Sequence, residues 1–172
     1  RTYHEGIIAL SACLAGEIPR LLEKGLYEEA KAAAKKHLEI FGEGNYFLEL
    51  QDHGLPMQRQ VNQALLRMSA ELHIPLVATN DCHYIYAEDW EAHDILLCIQ
   101  TGKKVSDENR MRYEGGQYYV KSEEEMRALF PYAPEAIENT HKIAERCNVE
   151  IEFGVTKLPR FDVPEGYDAW GY

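Results

Sequence analysis

An aspartate and a histidine two residues apart, Asp81 and His83, follow a short apolar run in the stretch Pro75-Leu-Val-Ala-Thr-Asn-Asp-Cys-His-Tyr-Ile85. In extended chain, side chains two apart point the same way, so this carboxylate and imidazole can converge on one point. A hard oxygen beside an imidazole suits zinc, manganese or iron. The same pair also fits an ordinary loop, with Asp81 capping a turn and His83 a half-buried ring. A further candidate donor is Cys13, in Ser11-Ala-Cys-Leu-Ala-Gly-Glu17, directly after the apolar run Gly6-Ile-Ile-Ala-Leu10. As a thiolate it binds transition metals well, and as a thiol it packs as a small hydrophobe. Gln51-Asp-His-Gly54, after Asn45-Tyr-Phe-Leu-Glu-Leu50, is another polar cluster of the same kind. Glu49, Asp52 and His53, each taken alone, read as loop-solvating groups in preference to site residues.

These groups need rigid elements beneath them. Residues 6–10, 45–50 and 76–79 read as buried strands, each bounded by turn residues. Between the last two, Met57, Val61, Leu65, Met68 and Leu72 recur at helical spacing behind Pro56, which suits a first helical turn. A strand-helix-strand unit implies parallel strands and a right-handed crossover. The polar clusters then collect at the C-terminal ends of the strands, where loops are held by the sheet. A short helix over 17–24 is stopped by Gly25, and a longer one over 27–41 buries Tyr27, Ala30, Ala34, Leu38 and Phe41 and ends at Gly42. His37 sits at the boundary of that stripe. A helix over 87–100 carries Ala92, Ile95, Leu96 and Ile99 on one face, apolar enough to predict that it is well buried, with His93 a hydrogen-bonded core histidine. Residues 110–120, with Gly115-Gly116 and flanking aromatics, read as a β-hairpin. The interleaved Arg and Tyr there also suit stacking on single-stranded bases, a minor alternative. Ser122 with Glu125 forms a capping box, and a last helix covers 134–148. From residue 149 onward, Gly and Pro punctuation reads as an extended connector.

With 172 residues and 45% hydrophobic content, the chain is sized for one domain with a real core. Twenty-nine acidic against eighteen basic residues give a net charge of -11, which repels a phosphate backbone, and the basic residues are not strongly clustered. Tight nucleic-acid binding by this chain alone is thereby disfavoured. No apolar run approaches the ~20 residues of a membrane span and no charged-then-apolar leader is present, so neither insertion nor export is expected. The four cysteines, Cys13, Cys82, Cys98 and Cys147, include no Cys-x-x-Cys pair, which makes a disulfide scaffold or zinc ribbon a poor reading and reduced thiols the default. Cys98 and Cys147 fall inside helical patterns and read as small buried hydrophobes. The chain opens at Arg1 rather than methionine and reads as an excised piece.

The motifs taken together resemble one family. Leu10-Ser-Ala-Cys-Leu-Ala-Gly-Glu17, Asn45-Tyr-Phe-Leu-Glu-Leu50, Ala78-Thr-Asn-Asp-Cys-His-Tyr84, Ala92-His-Asp-Ile-Leu-Leu-Cys-Ile-Gln-Thr-Gly102, Arg112-Tyr-Glu-Gly-Gly-Gln-Tyr-Tyr119 and Leu158-Pro-Arg-Phe161 look like the polymerase-and-histidinol-phosphatase (PHP) domain of bacterial replicative DNA polymerase III alpha subunits. The likeness runs in order through nearly the whole chain. It implies an α/β fold, part of a distorted β/α barrel of parallel strands and surrounding helices, with residues 1–153 the C-terminal portion of the PHP domain and 154–172 a connector toward the polymerase domain. It also implies a small cluster of divalent metals, zinc or manganese, at the C-terminal rim. Asp81 and His83 match the family's late ligand pair and Cys13 its cysteine position.

There is a departure from the family pattern. The early His-x-His pair and the Asp-x-His motif after it have no counterpart, so metal binding by this chain alone is expected to be weak or absent. The resemblance places the polymerase's catalytic aspartates beyond Tyr172, so the chain alone is not expected to polymerise DNA and no catalytic residue is assigned. It implies a cytoplasmic nucleotidyltransferase of DNA replication. The PHP region is then either a metal-dependent proofreading 3'-5' exonuclease or a scaffold for the exonuclease subunit, with other replicase subunits and DNA as partners. Two alternatives are a metal-free binding module and a free-standing PHP-type phosphoesterase.

Overall fold

Tyr46–Leu50 (β2) is the central strand of a three-stranded parallel sheet, flanked by Ala9–Leu10 (β1) and Leu76–Ala78 (β3). Ala9 lies opposite Tyr46, and Leu50 opposite Ala78. Tyr46, Phe47, Leu48 and Leu50 are all buried, the near-continuous apolar run expected of a parallel strand covered on both faces. The computed structural model describes residues 2–158, 161–168 and 170–172. Pro159 and Arg160 of the Leu158–Phe161 motif lie outside the described residues.

The helices are α1 (Glu17–Glu23), α2 (Tyr27–Phe41), α3 (Pro56–Leu72), α4 (Trp90–Thr101), α5 (Glu123–Leu129) and α6 (Pro134–Arg146). Helix α3 is the crossover between the parallel strands β2 and β3, and its Val61, Leu65 and Met68 enter the core as their spacing predicts. Helices α1, α2 and α3 pack on one another, α2 and α3 also reach β2, and α6 packs on β3. The Asn139 side chain of α6 donates to the Leu76 carbonyl at 2.8 Å, occupying a strand-edge acceptor that would otherwise invite another strand. Helix α5 begins with the capping box read from the sequence: Ser122 Oγ accepts from the Glu125 amide, and the Glu125 carboxylate accepts from the Ser122 amide.

Among the described residues the α/β fold carries an open sheet of three parallel strands. Three expectations are corrected. Residues 110–120 form no hairpin: the Gly115-Gly116 turn exists, but its flanks do not pair with each other, and Tyr119 instead bridges Tyr84 in parallel. Helix α4 is not well buried. Leu97 and Cys98 are inside, while Ile95, Leu96 and Ile99 are 51%, 61% and 72% exposed. The helix rests on the turn before it and on the following loop, which is tied down by a forked Arg110 pair to both Asp94 oxygens at 2.6 Å. Finally, α6 ends at Arg146, which leaves Cys147 at the cap and exposed, not packed inside a helix.

Candidate functional site

Because the three strands are parallel, the turns that follow them leave the sheet at one end. After β1, the chain turns sharply. The Ser11 amide donates to the Phe47 carbonyl at 3.0 Å, the Gly16 amide closes onto the Cys13 carbonyl at 2.8 Å, and Ala12 takes a left-handed φ of 65°. A Cβ on Gly16 would lie 2.5 Å from the Ser11 carbonyl oxygen, so only glycine fits there. Cys13 emerges from this turn half-buried, beside Glu49 and Gln51 at the end of β2.

Glu49 ties the rim together. One carboxylate oxygen accepts from the Ala12 amide at 3.0 Å, while the other accepts from the Thr79 hydroxyl and from the Gln51 amide at 3.3 Å. Its own backbone amide donates to Ser11 Oγ at 2.8 Å. A single side chain on β2 thus links the turn carrying Cys13 to the end of β3. The reading of Glu49 as a loop-solvating group is therefore corrected. Glu49→Ala is expected to cost about 1–3 kcal/mol, because the Ala12 amide and Thr79 hydroxyl lose a charged acceptor. The site-specific sign is faster hydrogen exchange at Ala12 relative to core amides, measured by NMR.

After β3, the Asn80–His83 turn is fastened on two sides. The buried His53, 3% exposed, bonds the Asn80 carbonyl through Nε2 at 2.8 Å. Gln58 fixes which nitrogen carries the proton. Its Oε1 accepts from the His53 amide, so its Nε2 must donate to His53 Nδ1, both at 2.8 Å, leaving His53 Nε2–H as the donor to Asn80. Burial, the largest influence, pushes the His53 imidazole below its ordinary pKa. With both ring nitrogens engaged, His53 is a clamp and neither a ligand nor a loop-solvating group. On the other side, Asn80 Nδ2 donates to the carbonyls of Gln117 and Tyr119 at 3.0 and 2.7 Å, and the His83 amide donates to the Tyr118 carbonyl at 2.8 Å.

The segment read as half of a hairpin therefore straps the site turn. Gly115 and Gly116, at φ 87° and 60°, let it fold back over the His53 carbonyl and the Trp90 ring. Tyr118 then stacks on His53, with ring centroids 3.9 Å apart. Within this frame Asp81, at φ 45°, directs Oδ1 to within 3.4 Å of His83 Nε2. Asp is one of the few residues that tolerates this left-handed backbone. Around His83 lie Tyr113 at 4.3 Å and His93 at 5.3 Å. His93 is thus a ring wall of the site, only half-buried, and not a core residue.

Electrostatics link the Cys13 turn to this cluster. Burial raises the Tyr113 phenol, and the Asp81 and Cys13 charges raise it further; the same two charges add to the burial that raises Tyr118. Cys13 and Asp81 therefore both lie within electrostatic reach of the same two rings. Among the described residues, no group of three His, Cys, Asp or Glu side chains is drawn close enough to hold a metal ion. The donor chemistry fits one in part. Asp81 and His83 offer adjacent oxygen and nitrogen donors, Cys13 stands nearby, and the remaining donors would have to come from beyond these residues.

Residues 1–53 match the PHP domain family, a span that includes Cys13 and stops short of Asp81 and His83. The chain is 47% identical over 165 residues to the DNA polymerase III subunit alpha of Treponema pallidum, covering 96% of this chain and 14% of that protein. It is 45% identical over 170 residues to that of Borreliella burgdorferi, covering 98% of this chain and 15% of that protein. With the subunit alpha of Thermus aquaticus it shares 42% identity over 172 residues, covering 96% and 14%. The chain spans about one seventh of the length of the curated relatives it matches.

Proposed function

Because the chain is homologous to the PHP region of the bacterial DNA polymerase III alpha subunits, we propose that it furnishes Cys13, Asp81 and His83 to a divalent-metal site at the C-terminal rim of its sheet. The observation that carries this reading is the Asp81–His83 pair, 3.4 Å apart on a turn fastened by His53 on one side and by the Gln117–Tyr119 strap on the other. Ligands held by a rigid second layer lose little freedom on binding, which favours affinity. Asp81 supplies a carboxylate and His83 an imidazole, with Tyr113 and His93 packed beside a ring that stays 29% exposed. Cys13 supplies a thiolate. A zinc or manganese ion bound there would bring Lewis-acid chemistry suited to phosphodiesters.

In the longer protein, residues 1–153 belong to the PHP barrel and 154–172 lead toward the polymerase domain. That protein polymerises DNA in the cytoplasm with other replicase subunits, and this chain by itself does not polymerise DNA. Among the described residues no helix is long and apolar enough to cross a membrane. A second reading, a scaffold for an exonuclease subunit, is favoured by the exposed Ile95, Leu96 and Ile99 of α4.

Elemental analysis of the full-length polypeptide after purification separates the two. The metal-site reading predicts that bound zinc or manganese persists through purification and falls in Asp81→Ala. Metal-free wild-type protein would leave the scaffold.

A further inference from the structure

We propose that the cleft between the end of β3, α5 and α6 is a second ligand site, distinct from the Asp81–His83 pair, which takes an oxyanion carried on a small apolar group. The cleft has a volume of about 730 Å³. It opens on the other side of the same turn: Asn80 and Cys82 line it, whereas Asp81 and His83 do not. The end of a parallel strand is also where α/β sheets gather ligands.

Lys121 gives the cleft its specificity. The other cations in the lining are already matched, Arg127 with Glu123 at 2.8 Å and Lys142 with Glu138 at 3.9 Å, and the His141 ring lies 3.3 Å from Glu145. Lys121 is half-buried, and among the described residues no carboxylate lies within ion-pair distance of it. Its ammonium donates to the Gln117 carbonyl and lies 4.0 Å over the Tyr119 ring. Glu125, whose charge reaches it, is occupied by the Tyr119 hydroxyl and the Ser122 amide at 2.6 and 2.7 Å. Burial, the largest influence, lowers the Lys121 pKa, while the Glu125 and Cys82 charges raise it without placing a counter-charge in contact with the ammonium. An incoming phosphate or carboxylate would supply that charge and form a charge-assisted bond. Beside it, Ala78, Val120, Met126 and Ile137 present apolar surface to whatever the anion carries.

The test is a methyl-NMR titration of this chain with inorganic phosphate, with phenyl phosphate and with sodium chloride at matched ionic strength. Saturable shifts are expected at Val120, Met126 and Ile137 with both phosphates and not with chloride. Phenyl phosphate should bind about tenfold tighter than inorganic phosphate, since the ring buries apolar area. Lys121→Gln, which keeps a donor for Gln117, should weaken both by about tenfold, the size of a hydrogen bond to a charged group. Lys121→Arg restores the charge and should restore binding, which separates loss of the ion pair from damage to the fold. Non-saturable shifts shared with chloride, equal affinity for the two phosphates, or unchanged binding by Lys121→Gln would overturn the proposal.

Discussion

His53→Ala is expected to lower the stability of the chain by about 2–4 kcal/mol, as deleting a buried, fully hydrogen-bonded ring does. Three losses coincide. The Asn80 carbonyl loses its donor, the Gln58 amide loses its acceptor, and the face of Tyr118 loses the ring stacked 3.9 Å away. All three partners support the turn that carries Asp81 and His83, so the damage is local as well as global. Urea unfolding reads the total. Hydrogen exchange at the His83 amide, which donates to Tyr118, reads the local part and should accelerate more than the amides of β2. A variant whose rim amides stay as protected as its core would show that the clamp is not holding the turn.

The same residue sets a pH response of defined sign. Burial holds the folded His53 below its ordinary pKa, so the unfolded chain takes up this proton first as pH falls. Stability from His53 is thus fully present above about 6.5, the ordinary value, and is lost as pH drops toward the folded value. His53→Gln removes this component and should flatten the acid limb of the stability curve. A wild-type curve with the same acid limb as His53→Gln would contradict a neutral, clamped imidazole.

The second large effect is on metal affinity in the full-length polypeptide. His83→Ala removes a nitrogen donor from a turn already fixed in place, and affinity for zinc should fall by about a hundredfold or more, since even second-layer changes cost about 10–100-fold. Cys13→Ser should cost less, about tenfold on the same scale, because an oxygen donor replaces a softer one without moving the Glu49-anchored turn. The order of the two effects is the informative part. Equal retention of zinc by His83→Ala and wild type would remove the site from this rim. Competition titrations against a zinc chelator give both values.

The sequence makes much of the scaffold legible and less of the rim. Apolar runs at Leu76–Ala78 and Tyr46–Leu50, joined by the Val61, Leu65 and Met68 stripe, are local signals, and they specify parallel strands with a helical crossover. Asp81 and His83 are also a local signal, being two residues apart. Glu49 and His53 are different. Each resembles a loop group in sequence, and each is a hub only because its partners arrive from distant segments: Ala12 and Thr79 for Glu49, Asn80 and Tyr118 for His53.

The hairpin expectation fails for the same reason. Gly115 and Gly116 do adopt the left-handed conformations of a tight turn, but the strand-forming tyrosines find Tyr84 and the site turn a better partner than each other. Helix α4 shows another limit. Its apolar composition says that Ile95, Leu96 and Ile99 favour burial, without saying that this chain supplies what buries them. Helical spacing predicts Cys147 inside α6, whose last helical residue is Arg146.

Anomalous diffraction from crystals of the full-length polypeptide, collected at the zinc and manganese edges, tests most directly whether this rim holds metal. The account predicts a peak at coordination distance, about 2.0–2.2 Å, from an Asp81 oxygen and a His83 nitrogen, with the Cys13 sulfur facing it. Anomalous density elsewhere in the polypeptide with none at Asp81 and His83, or none at all, would contradict it.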